Sequence, residues 1–405
     1  MKVLFTSPIL EHPAAGGPQL RIENSIKALS QICTLYLAAR SPRHLTGGDQ
    51  AEKFYRRYAR EFVYAPSTAG LSRNRYIRKA QNILRNLNNR TIEHDAAFIL
   101  NFIETRGIEY IWFGYGNISF PLIKRIKESR PLLRVVCDTD SVWSRFVLRE
   151  LPHQTSKLRK ARIKAKGKQK EREEREWVNL CEVTTAVSEV DAAYYRSIAK
   201  EPSRIRLFPN AIDLETYRMP PPPPAGFKKP CIYLAGTFGH YHSPMDIAAR
   251  WVLEKIFPKV KEHIRDVHFY IVGKNSDRTL GHLQSRDVTV TGQLPSVLPY
   301  LCHADVALVP LKFESGTRFK ILEAGACGIP VVSTSLGAEG LPVMDGRDIL
   351  LADNPRDFAQ AIVRLFREKD FAATLAKNCR EMVRNRFSVE CLGSDAKRIL
   401  EALAA

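Results

Sequence analysis

Five consecutive prolines, Pro220–Pro224, interrupt the chain near its middle. Proline lacks a backbone N–H and has a fixed φ angle, so such a run cannot lie inside a helix or a central strand, and it favours a stiff, extended linker. The chain has 405 residues, which is enough for two domains. We therefore expect an N-terminal domain at 1–219, a linker at 220–226, a C-terminal domain at 227–385 and a final helix at 386–405 that packs back on the N-terminal domain.

Both halves alternate short apolar runs with longer helical patterns, as at Pro244–His263 and Pro355–Glu368. Near-continuous apolar runs are typical of parallel strands that are covered on both faces. In chain order, the runs predict strands at Val3–Thr6, Thr34–Ala38, Tyr110–Phe113, Arg134–Cys137, Val183–Val187, Ile205–Phe208, Ile232–Ala235, Val267–Val272, Val288–Thr291, Val306–Val309, Pro330–Ser333 and Ile349–Leu351. The pattern predicts an α/β fold with two doubly wound, Rossmann-like domains facing a central cleft, where ligands are expected at the carboxyl ends of the strands.

Composition and cysteine spacing exclude several classes of protein. Hydrophobic residues make up 44% and charged residues 26% of the chain, which is typical of a folded protein and not of a disordered one. No apolar stretch approaches the length of a transmembrane helix, and the first ten residues favour a strand over a secretory signal. The eight cysteines lack metal-ligand spacing, so we expect buried thiols in a reducing cytoplasm and no disulfide framework.

The loop after the first predicted strand reads Pro13-Ala-Ala-Gly-Gly-Pro18, and a helical pattern opens at Arg21. Gly16 and Gly17 allow a ligand to approach the backbone closely, and the amino end of a helix favours anionic or polar groups. An ordinary strand-to-helix loop has the same composition, so that alternative stays open.

A segment of the second half, from Val309 to Thr334, reads as a strand, a loop, a helix, a glycine stop and a second strand. We expect Gly316 and Thr317 to start its helix. Free backbone N–H groups and the positive end of the helix dipole would then point towards the cleft.

Two cations and one carboxylate follow in this helix. Arg318 and Lys320 are unfavourable at a helix amino end unless an anion binds there, and a diphosphate would supply one. Glu323 lies three residues after Lys320, on the same side, where it can accept hydrogen bonds from a ribose. A surface ion pair between Lys320 and Glu323, worth only a few tenths of a kcal/mol, is the alternative. The convergence of loop, dipole, cations and carboxylate favours a nucleotide diphosphate site.

This segment resembles the donor-site signature of family 4 glycosyltransferases of the GT-B fold. The signature has a glutamate, seven further residues, a second glutamate and then Ala-x-Ala-x-Gly-x-Pro-Val-Val. Its second half matches Glu323-Ala-Gly-Ala-Cys-Gly-Ile-Pro-Val-Val. Other segments resemble parts of the same family in the same order along the chain, and they are Gly16–Gly17, Thr185–Ser188, Phe208–Asp213 and Thr291–Ser296. The resemblance therefore spans nearly the whole chain.

The resemblance implies a nucleotide-diphosphate sugar in the second domain, an acceptor in the first, and retention of configuration. With the residues argued above, the expected donor-binding set is Gly16, Gly17, Gly236, Gly292, Ser315, Gly316, Thr317, Arg318, Lys320 and Glu323.

Two departures from the family pattern bear on the donor site. Ser315 stands where the family has its first glutamate, which contacts the donor sugar. The Arg and Lys that often follow Gly236 in the family are replaced by a stretch that contains His240 and His242. The charge of these missing cations would come from the helix after Ser315, whose Gly-Thr-Arg-x-Lys pattern resembles a subgroup of the family.

Two aspartates follow the strand predicted at Arg134–Cys137. Asp138 and Asp140 lie where the family has a His-Asp pair that meets the acceptor or donor sugar, and we expect them to be catalytic. An Asp-x-Asp pattern can also bind a metal ion, but we expect none because cations lie where the metal would serve. Capping of the next helix by Asp140 or Ser141 is the alternative.

Positive charge is concentrated in the first half. The formal net charge is +19, and residues 1–224 hold 38 Lys and Arg against 23 Asp and Glu. Ten of these cations lie between Lys157 and Arg175 in a helical pattern. We expect this helix to bind an anionic membrane surface or an anionic glycan, with a solvated helix face as the alternative. No nucleic acid is expected, because no recognised nucleic-acid motif accompanies the charge.

The sequence thus predicts a retaining, metal-independent, hexosyltransferase-like glycosyltransferase without a cofactor. It would transfer a sugar from a nucleotide-diphosphate sugar to a glycan or lipid-linked acceptor, as in polysaccharide biosynthesis, in the cytoplasm or at the inner face of the membrane. Three rivals remain: a nucleotide-sugar epimerase of the same fold, a basic nucleic-acid-binding protein, and a catalytically silent GT-B scaffold.

Overall fold

The computed structural model describes residues 1–14, 16–66, 90–239, 241–313 and 319–404. Contacts divide the chain into two compact units. Unit 1 holds Met1–Asp140, Gln169–Phe208 and Gly393–Ala405, and unit 2 holds Ser141–Lys168 and Pro209–Leu392. The proline run, Pro220–Pro224, lies in unit 2 and outside helices and strands.

A parallel sheet forms the centre of unit 1. Within the described residues its strands are β1 (Lys2–Ser7), β2 (Thr34–Ala39), β3 (Glu61–Tyr64), β4 (Tyr110–Gly114), β5 (Arg134–Asp138), β6 (Val183–Ala186) and β7 (Ile205–Leu207). Their order across the sheet is β3-β2-β1-β4-β5-β6-β7, and every neighbouring pair is parallel. Every side chain of β4 is buried, as expected of a strand covered on both faces.

A second parallel sheet forms the centre of unit 2. Its strands are β8 (Cys231–Ala235), β9 (His268–Val272), β10 (Val288–Val290), β11 (Val306–Val309), β12 (Val331–Ser333) and β13 (Leu350–Leu351). Their order is β10-β9-β8-β11-β12-β13, and all neighbours are again parallel. The two sheets confirm the predicted α/β fold with two Rossmann-like domains.

Helices connect the strands of both sheets. In the described residues they are α1 (Gly17–Ser30), α2 (Arg43–Thr46), α3 (Gly48–Tyr55), α4 (Arg90–Arg106), α5 (Phe120–Ser129), α6 (Trp143–Leu148), α7 (Lys157–Leu180), α8 (Glu189–Ile198), α9 (Pro244–Trp251), α10 (Phe257–His263), α11 (Ser276–Leu280), α12 (Leu298–Leu301), α13 (Phe319–Cys327), α14 (Pro355–Arg367), α15 (Lys369–Arg386) and α16 (Val389–Ala404). None of them combines the length and the hydrophobicity that a membrane-spanning helix needs.

Two helices run from one unit into the other along the chain. α7 begins in unit 2 and ends in unit 1, and so does α16. In unit 1, a Cβ atom at Gly393 of α16 would lie 3.3 Å from Gln31 Oε1 and 3.5 Å from the Ala28 carbonyl oxygen. The first turns of α16 therefore pack closely against the carboxyl end of α1.

The predicted helix at Pro244–His263 is not one continuous α-helix. α9 and α10 are separated by a π-helical turn at Val252–Ile256. Pro258 has no N–H to donate to the preceding turn, so the regular hydrogen-bond ladder cannot continue through it, and the wider turn accommodates the break.

The sequence patterns also missed β3. This strand has four residues, of which only Phe62 is fully buried, and it follows the charged stretch Arg56–Arg60. A short, partly exposed edge strand lacks the continuous apolar run by which the other strands were predicted.

Candidate functional site

In the sheet of unit 2, the order in which the chain adds strands reverses between β8 and β11. The chain places β9 and β10 on one side of β8, and then β11, β12 and β13 on the other side. In such open α/β sheets, the carboxyl ends of the two central strands border a crevice in which ligands bind. The chain leaves β8 at Gly236 and leaves β11 at Pro310, so the loops that begin at these residues form the candidate site.

Three glycines lie next to one another at this edge of the sheet, after β8, β9 and β10. The Gly236 N–H donates to the Val272 carbonyl at 3.0 Å, and the Gly273 N–H donates to the Gly292 carbonyl at 3.1 Å. Gly273 has a φ of +129°, and a Cβ atom there would lie 2.1 Å from the Gly236 carbonyl oxygen. Only glycine avoids that clash. The structure therefore brings the predicted Gly236 and Gly292 together through Gly273, which sequence reasoning missed.

A buried serine completes this edge. Ser276 Oγ accepts a hydrogen bond from the Gly292 N–H at 3.0 Å and has no exposed surface. Gly273 and Ser276 both belong to the stretch Gly273-Lys-Asn-Ser276, which directly follows the apolar run of β9. That glycine after a buried strand was the signal that could have revealed them.

The other half of the site is α13 and the loop before it. Four of the predicted donor residues lie outside the described residues, and they are Ser315, Gly316, Thr317 and Arg318. Lys320 lies in the first turn of α13, and Glu323 follows one turn later. The described part of the helix thus carries a cation and then a carboxylate near its amino end. Both side chains are half-buried.

Tyr217 is the hydrogen-bond partner of Glu323. The Tyr217 hydroxyl donates to Glu323 Oε1 at 3.2 Å. Burial raises the pKa of the Glu323 carboxyl above its ordinary value, and the positive charge of Lys320 and the Tyr217 hydrogen bond oppose that rise. The described residues therefore show Glu323 anchored by a tyrosine, and they do not show the ion pair between Lys320 and Glu323 that was the alternative.

Small residues hold α13 in place. A Cβ atom at Gly325 would lie 2.8 Å from Val383 Cγ2 and 2.9 Å from Cys379 Sγ, both on α15. Ala324 and Ala326 on either side of it are buried. The Ala-Gly-Ala part of the signature is therefore a packing requirement that fixes the axis of the helix on which Lys320 lies.

The loop after β8 is tied to its surroundings by backbone hydrogen bonds. Phe238 is fully buried, and its N–H donates to the Lys274 carbonyl at 2.9 Å. The His242 N–H donates to Asp246 Oδ2, also at 2.9 Å, while the His242 side chain is exposed. His240 lies outside the described residues. Of the two histidines, the structure thus describes one, and its backbone anchors the loop.

Cations rather than carboxylate clusters characterise this edge of unit 2. Lys274 is exposed directly after β9, and Lys320 lies on α13. Lys312 is engaged within the unit, since its Nζ lies 3.4 Å from the centre of the Trp251 ring and donates to the Asp353 carbonyl at 3.1 Å. In the part of the chain that the structure describes, no three His, Cys, Asp or Glu side chains come together at a spacing suited to a metal ion.

In unit 1, Gly16 and Gly17 lie at the start of α1. Gly17 is the first residue of the helix, and Gly16 is its N-cap with an extended φ of 178°. A Cβ atom at Gly16 would meet Gln19 Oε1 only at 3.4 Å, so the backbone does not itself require glycine there. The helix begins four residues before Arg21, where the helical pattern was expected to open.

Asp138, at the end of β5, is fully buried. Its Oδ1 forms an ion pair with Arg21 of α1, which is itself almost fully buried, and accepts a hydrogen bond from the Thr185 hydroxyl at 2.6 Å. Arg21 also donates to the carbonyl of Phe208, the last residue of this part of unit 1, at 3.0 Å. Asp138 therefore ties α1, β5 and β6 together and presents no surface to a substrate.

Asp140 differs from Asp138 because its side chain is only half-buried. Its Oδ1 accepts a hydrogen bond from Asn117 Nδ2 at 2.9 Å. The N-cap position of the next helix, α6, is occupied by Val142, so neither Asp140 nor Ser141 is its N-cap residue. Of the two aspartates expected to be catalytic, the structure thus leaves Asp140 as the one that a ligand can reach.

Comparison with known proteins agrees with this architecture. Residues 233–368 match the model of the family described as "Glycosyl transferases group 1". A D-inositol 3-phosphate glycosyltransferase from Paenarthrobacter aurescens is 39% identical over 83 residues, which cover 19% of this chain and 20% of that protein. The chain thus matches about a fifth of the length of this curated relative.

Solved structures resemble the whole chain. Sucrose-phosphate synthase from Thermosynechococcus elongatus matches with a TM-score of 0.70 and 18% identity, covering 100% of this chain and 99% of that one. HepE from Anabaena, solved in complex with UDP, matches with a TM-score of 0.63 and 12% identity, covering 99% and 100%. At these identities the likeness shows the fold. Residues 233–368 match the model of the group 1 glycosyltransferases, and the chain has the GT-B fold, as the sequence resemblance implied.

The two aspartates after β5 are predicted to respond differently to the same substitution. Asp138→Asn leaves the buried Arg21 without its charged partner and should lower the free energy of unfolding by about 3 kcal/mol or more. Asp140→Asn changes a half-exposed group and should stay within about 1 kcal/mol of the wild type. Denaturant unfolding of both variants checks this, and equal losses would refute the distinction between them.

Glu323→Gln is predicted to stabilise the chain at neutral pH. Because burial raises the pKa of Glu323 in the folded state, the folded chain binds this proton more tightly than the unfolded chain does. Stability therefore falls as pH rises through the ordinary glutamate range and stays lower above it, and the amide removes that cost. The Tm of the variant should exceed that of the wild type at neutral pH, and the gap should close at acid pH.

Glu262→Gln is the matched control for this measurement. Glu262 is exposed on α10, so the substitution removes the same charge from the surface. It should leave Tm unchanged across the same pH series. A Glu323→Gln variant that is no more stable than this control at neutral pH would count against a carboxylate whose pKa is raised by burial.

Proposed function

We propose that the chain is a retaining, metal-independent family 4 glycosyltransferase that transfers a hexose-like sugar from a nucleotide-diphosphate sugar to a glycan or lipid-linked acceptor. The observation that carries the proposal is that Lys320 and Glu323 both lie on α13, which follows a central strand of the unit 2 sheet, whose carboxyl edge is lined by glycines. The group 1 family match over 233–368 covers this region, and the similar HepE structure holds UDP.

The diphosphate is the group that suits the amino end of α13. A cation in the first turn of a helix is unfavourable unless an anion lies near it, because the helix dipole is positive there. Lys320 occupies such a position. Backbone N–H groups at a helix amino end bind phosphate oxygens directly, so Lys320 and the start of α13 together provide charge-assisted contacts to two phosphates.

Glu323 is proposed to bind the ribose. A ribose presents two hydroxyl donors, and an ionised carboxylate accepts from both. The Tyr217 hydrogen bond occupies Oε1 and fixes the rotamer of the side chain, which leaves Oε2 for the sugar. The base is proposed to lie against the main chain at Gly236, Gly273 and Gly292, which carry no side chains. The nucleoside would thus lie along the carboxyl edge of β8, β9 and β10.

Transfer requires that negative charge on the leaving diphosphate be stabilised as the bond to the sugar breaks. Lys320 and the amino end of α13 are proposed to do this, which is the electrostatic strategy that enzymes use for a departing anion. The acceptor hydroxyl attacks the sugar carbon from the face that the diphosphate leaves, and its proton passes to a departing phosphate oxygen. Asp140 is proposed to contact the sugar, while Asp138 acts as a positioning residue that holds the end of β5.

The amino-terminal half of α7 is proposed to dock on an anionic membrane surface. Side chains from Lys157 to Arg162 are all exposed, and Leu158 among them is 76% exposed. Gly167 packs the other side of this helix against Leu148, where a Cβ atom would lie 2.4 Å from Leu148 Cδ2. The helix thus has a buried side and a cationic, solvent-facing side with an apolar residue, as peripheral membrane helices have.

Substitutions on α13 test the donor site. Lys320→Ala should weaken UDP binding roughly ten-fold or more, since a charge-assisted hydrogen bond contributes about 1.5–3 kcal/mol. Glu323→Ala should weaken UDP binding but leave inorganic diphosphate binding nearly unchanged, because it removes a ribose contact. Calorimetric titrations of both variants with UDP and diphosphate separate the two roles.

Lys369→Ala is the control for this experiment, because Lys369 likewise lies in the first turn of a helix, α15, although its side chain is exposed. It should bind both ligands as the wild type does. If Lys320→Ala and Lys369→Ala have the same UDP affinity, α13 does not hold the diphosphate.

Metal independence is a second expectation. Lys320 and the helix amino end supply the positive charge that a divalent cation provides in other nucleotide-sugar sites. Transfer by the full chain should therefore continue in excess chelator. Activity that disappears with chelator and returns with magnesium or manganese would contradict this part of the proposal.

Membrane docking predicts a charge-dependent association with vesicles. Changing Lys157, Lys160, Lys164 and Lys166 to Gln should lower binding to phosphatidylglycerol-containing vesicles at least about ten-fold, given roughly 1 kcal/mol for each cation at the surface. The control variant removes the same charge from α15 by changing Lys369, Lys377, Arg384 and Arg386 to Gln. Co-sedimentation should fall for the first variant only, and equal binding of the wild type to neutral vesicles would oppose the idea.

A further inference from the structure

Two thiols from distant parts of the sequence meet in unit 2. Cys302 is the C-cap residue of α12, and Cys327 is the last residue of α13. Their sulfur atoms are 3.3 Å apart and in hydrogen-bond contact, and both residues are half-buried free thiols. A disulfide bond has a sulfur–sulfur distance of about 2.05 Å, so a shift of little more than one ångström separates this pair from a covalent bond.

The other described cysteines differ from this pair. Cys137 and Cys181 also interact with each other, but both are fully buried, as are Cys231 and Cys379, so a soluble oxidant cannot reach them. Cys33 and Cys391 are half-buried, and each thiol donates to a nearby backbone carbonyl, of Leu29 and Asn385 respectively. Among the described residues, Cys302 and Cys327 therefore combine a partner thiol with an accessible position.

The two thiols are not equivalent. The hydrogen bond from Cys327 lowers the pKa of Cys302 below its ordinary value. That same contact, burial and the negative charge of Glu323 raise the pKa of Cys327. The thiolate is the reactive form of cysteine in exchange with disulfides. Cys302 is accordingly the nucleophile of the pair, and Cys327 is the thiol that resolves the product.

We propose that Cys302 and Cys327 form a reversible intrachain disulfide by exchange with a low-molecular-weight disulfide of the glutathione class. The Cys302 thiolate attacks one sulfur of that disulfide, forms a mixed disulfide and releases one thiolate. Cys327 then loses its proton to solvent and attacks the Cys302 sulfur, which releases the second small thiolate. The two cysteines are oxidised, and the small disulfide is reduced to two thiols.

The bond would act on the donor helix. Cys327 lies one turn after Glu323 on α13, and drawing its sulfur towards α12 pulls on the carboxyl end of that helix. Gly325, between the two, is packed against α15 without spare volume, so the helix cannot shift freely to follow the sulfur, and the strain of the new bond is expected to disturb the contact between Glu323 and Tyr217. This consequence rests on the proposed function, and oxidation should weaken UDP binding at least about threefold.

The experiment uses the full chain, reduced and then incubated with oxidised glutathione. Acid stops the exchange, the chain is then unfolded in denaturant and its free thiols are alkylated near neutral pH, and the peptides are analysed by mass spectrometry. The expected product is a peptide pair cross-linked through Cys302 and Cys327, lighter by two hydrogen atoms, with Cys137 and Cys181 alkylated. In Cys327→Ser, a glutathione adduct should accumulate on Cys302. In Cys302→Ser, Cys327 should stay a free thiol over the same time.

Cys391→Ser is the matched control and should form the cross-link as the wild type does. Absence of the cross-link in the wild type, or oxidation of the buried Cys137 and Cys181 to the same extent, would overturn the proposal. A cross-link that leaves UDP affinity unchanged would overturn its effect on the donor helix. If the reduced chain binds no UDP at all, the donor site fails, while the cross-link still decides the cysteine chemistry.

Discussion

In a parallel sheet the carboxyl ends of all strands lie at the same edge. In both sheets of this chain, the loops that leave this edge are therefore the ones that can form a binding site. In unit 2 the edge carries Gly236, Gly273 and Gly292, whose backbones approach so closely that a single Cβ atom at Gly273 would lie 2.1 Å from a carbonyl oxygen. The reversal of strand order between β8 and β11 opens a crevice beside these glycines. The amino end of α13 lies after β11, the other strand that borders the crevice.

Burial of Glu323 lowers the stability of the folded chain. Its carboxylate is half-buried, its pKa is raised by burial, and one hydroxyl, that of Tyr217, binds it. A carboxylate in such a place lowers the stability of the folded chain at neutral pH. Proteins commonly keep an unfavourable group of this kind where a ligand uses it. The burial of Glu323 and the packing of Gly325 against α15 are consistent with the proposed donor site, because a helix that is held rigidly keeps its polar side chains in place.

The strands and the glycines could be predicted from the sequence because their signals are local. Buried parallel strands are continuous apolar runs, and a glycine after such a run indicates a close backbone approach. The partners of the polar side chains could not be predicted in this way. Tyr217 binds Glu323 across 106 positions, and Arg21 pairs with Asp138 across 117. Neither contact follows from periodicity or spacing. For that reason Asp138 and Asp140 look alike in the sequence, and only the structure separates the buried aspartate from the accessible one.

The central claim is that unit 2 binds a nucleoside diphosphate at the carboxyl edge of its sheet. Thermal unfolding of the wild-type chain with a panel of UDP, UDP-glucose, uridine, inorganic diphosphate, the other nucleoside diphosphates and a DNA duplex tests it directly, because a ligand that binds the native state raises Tm. If unit 2 binds a nucleoside diphosphate, one or more nucleoside diphosphates should raise Tm more than either the nucleoside or the diphosphate alone. The absence of a Tm shift with every nucleoside diphosphate would contradict binding at this edge. A shift with the DNA duplex instead would favour a nucleic-acid-binding protein.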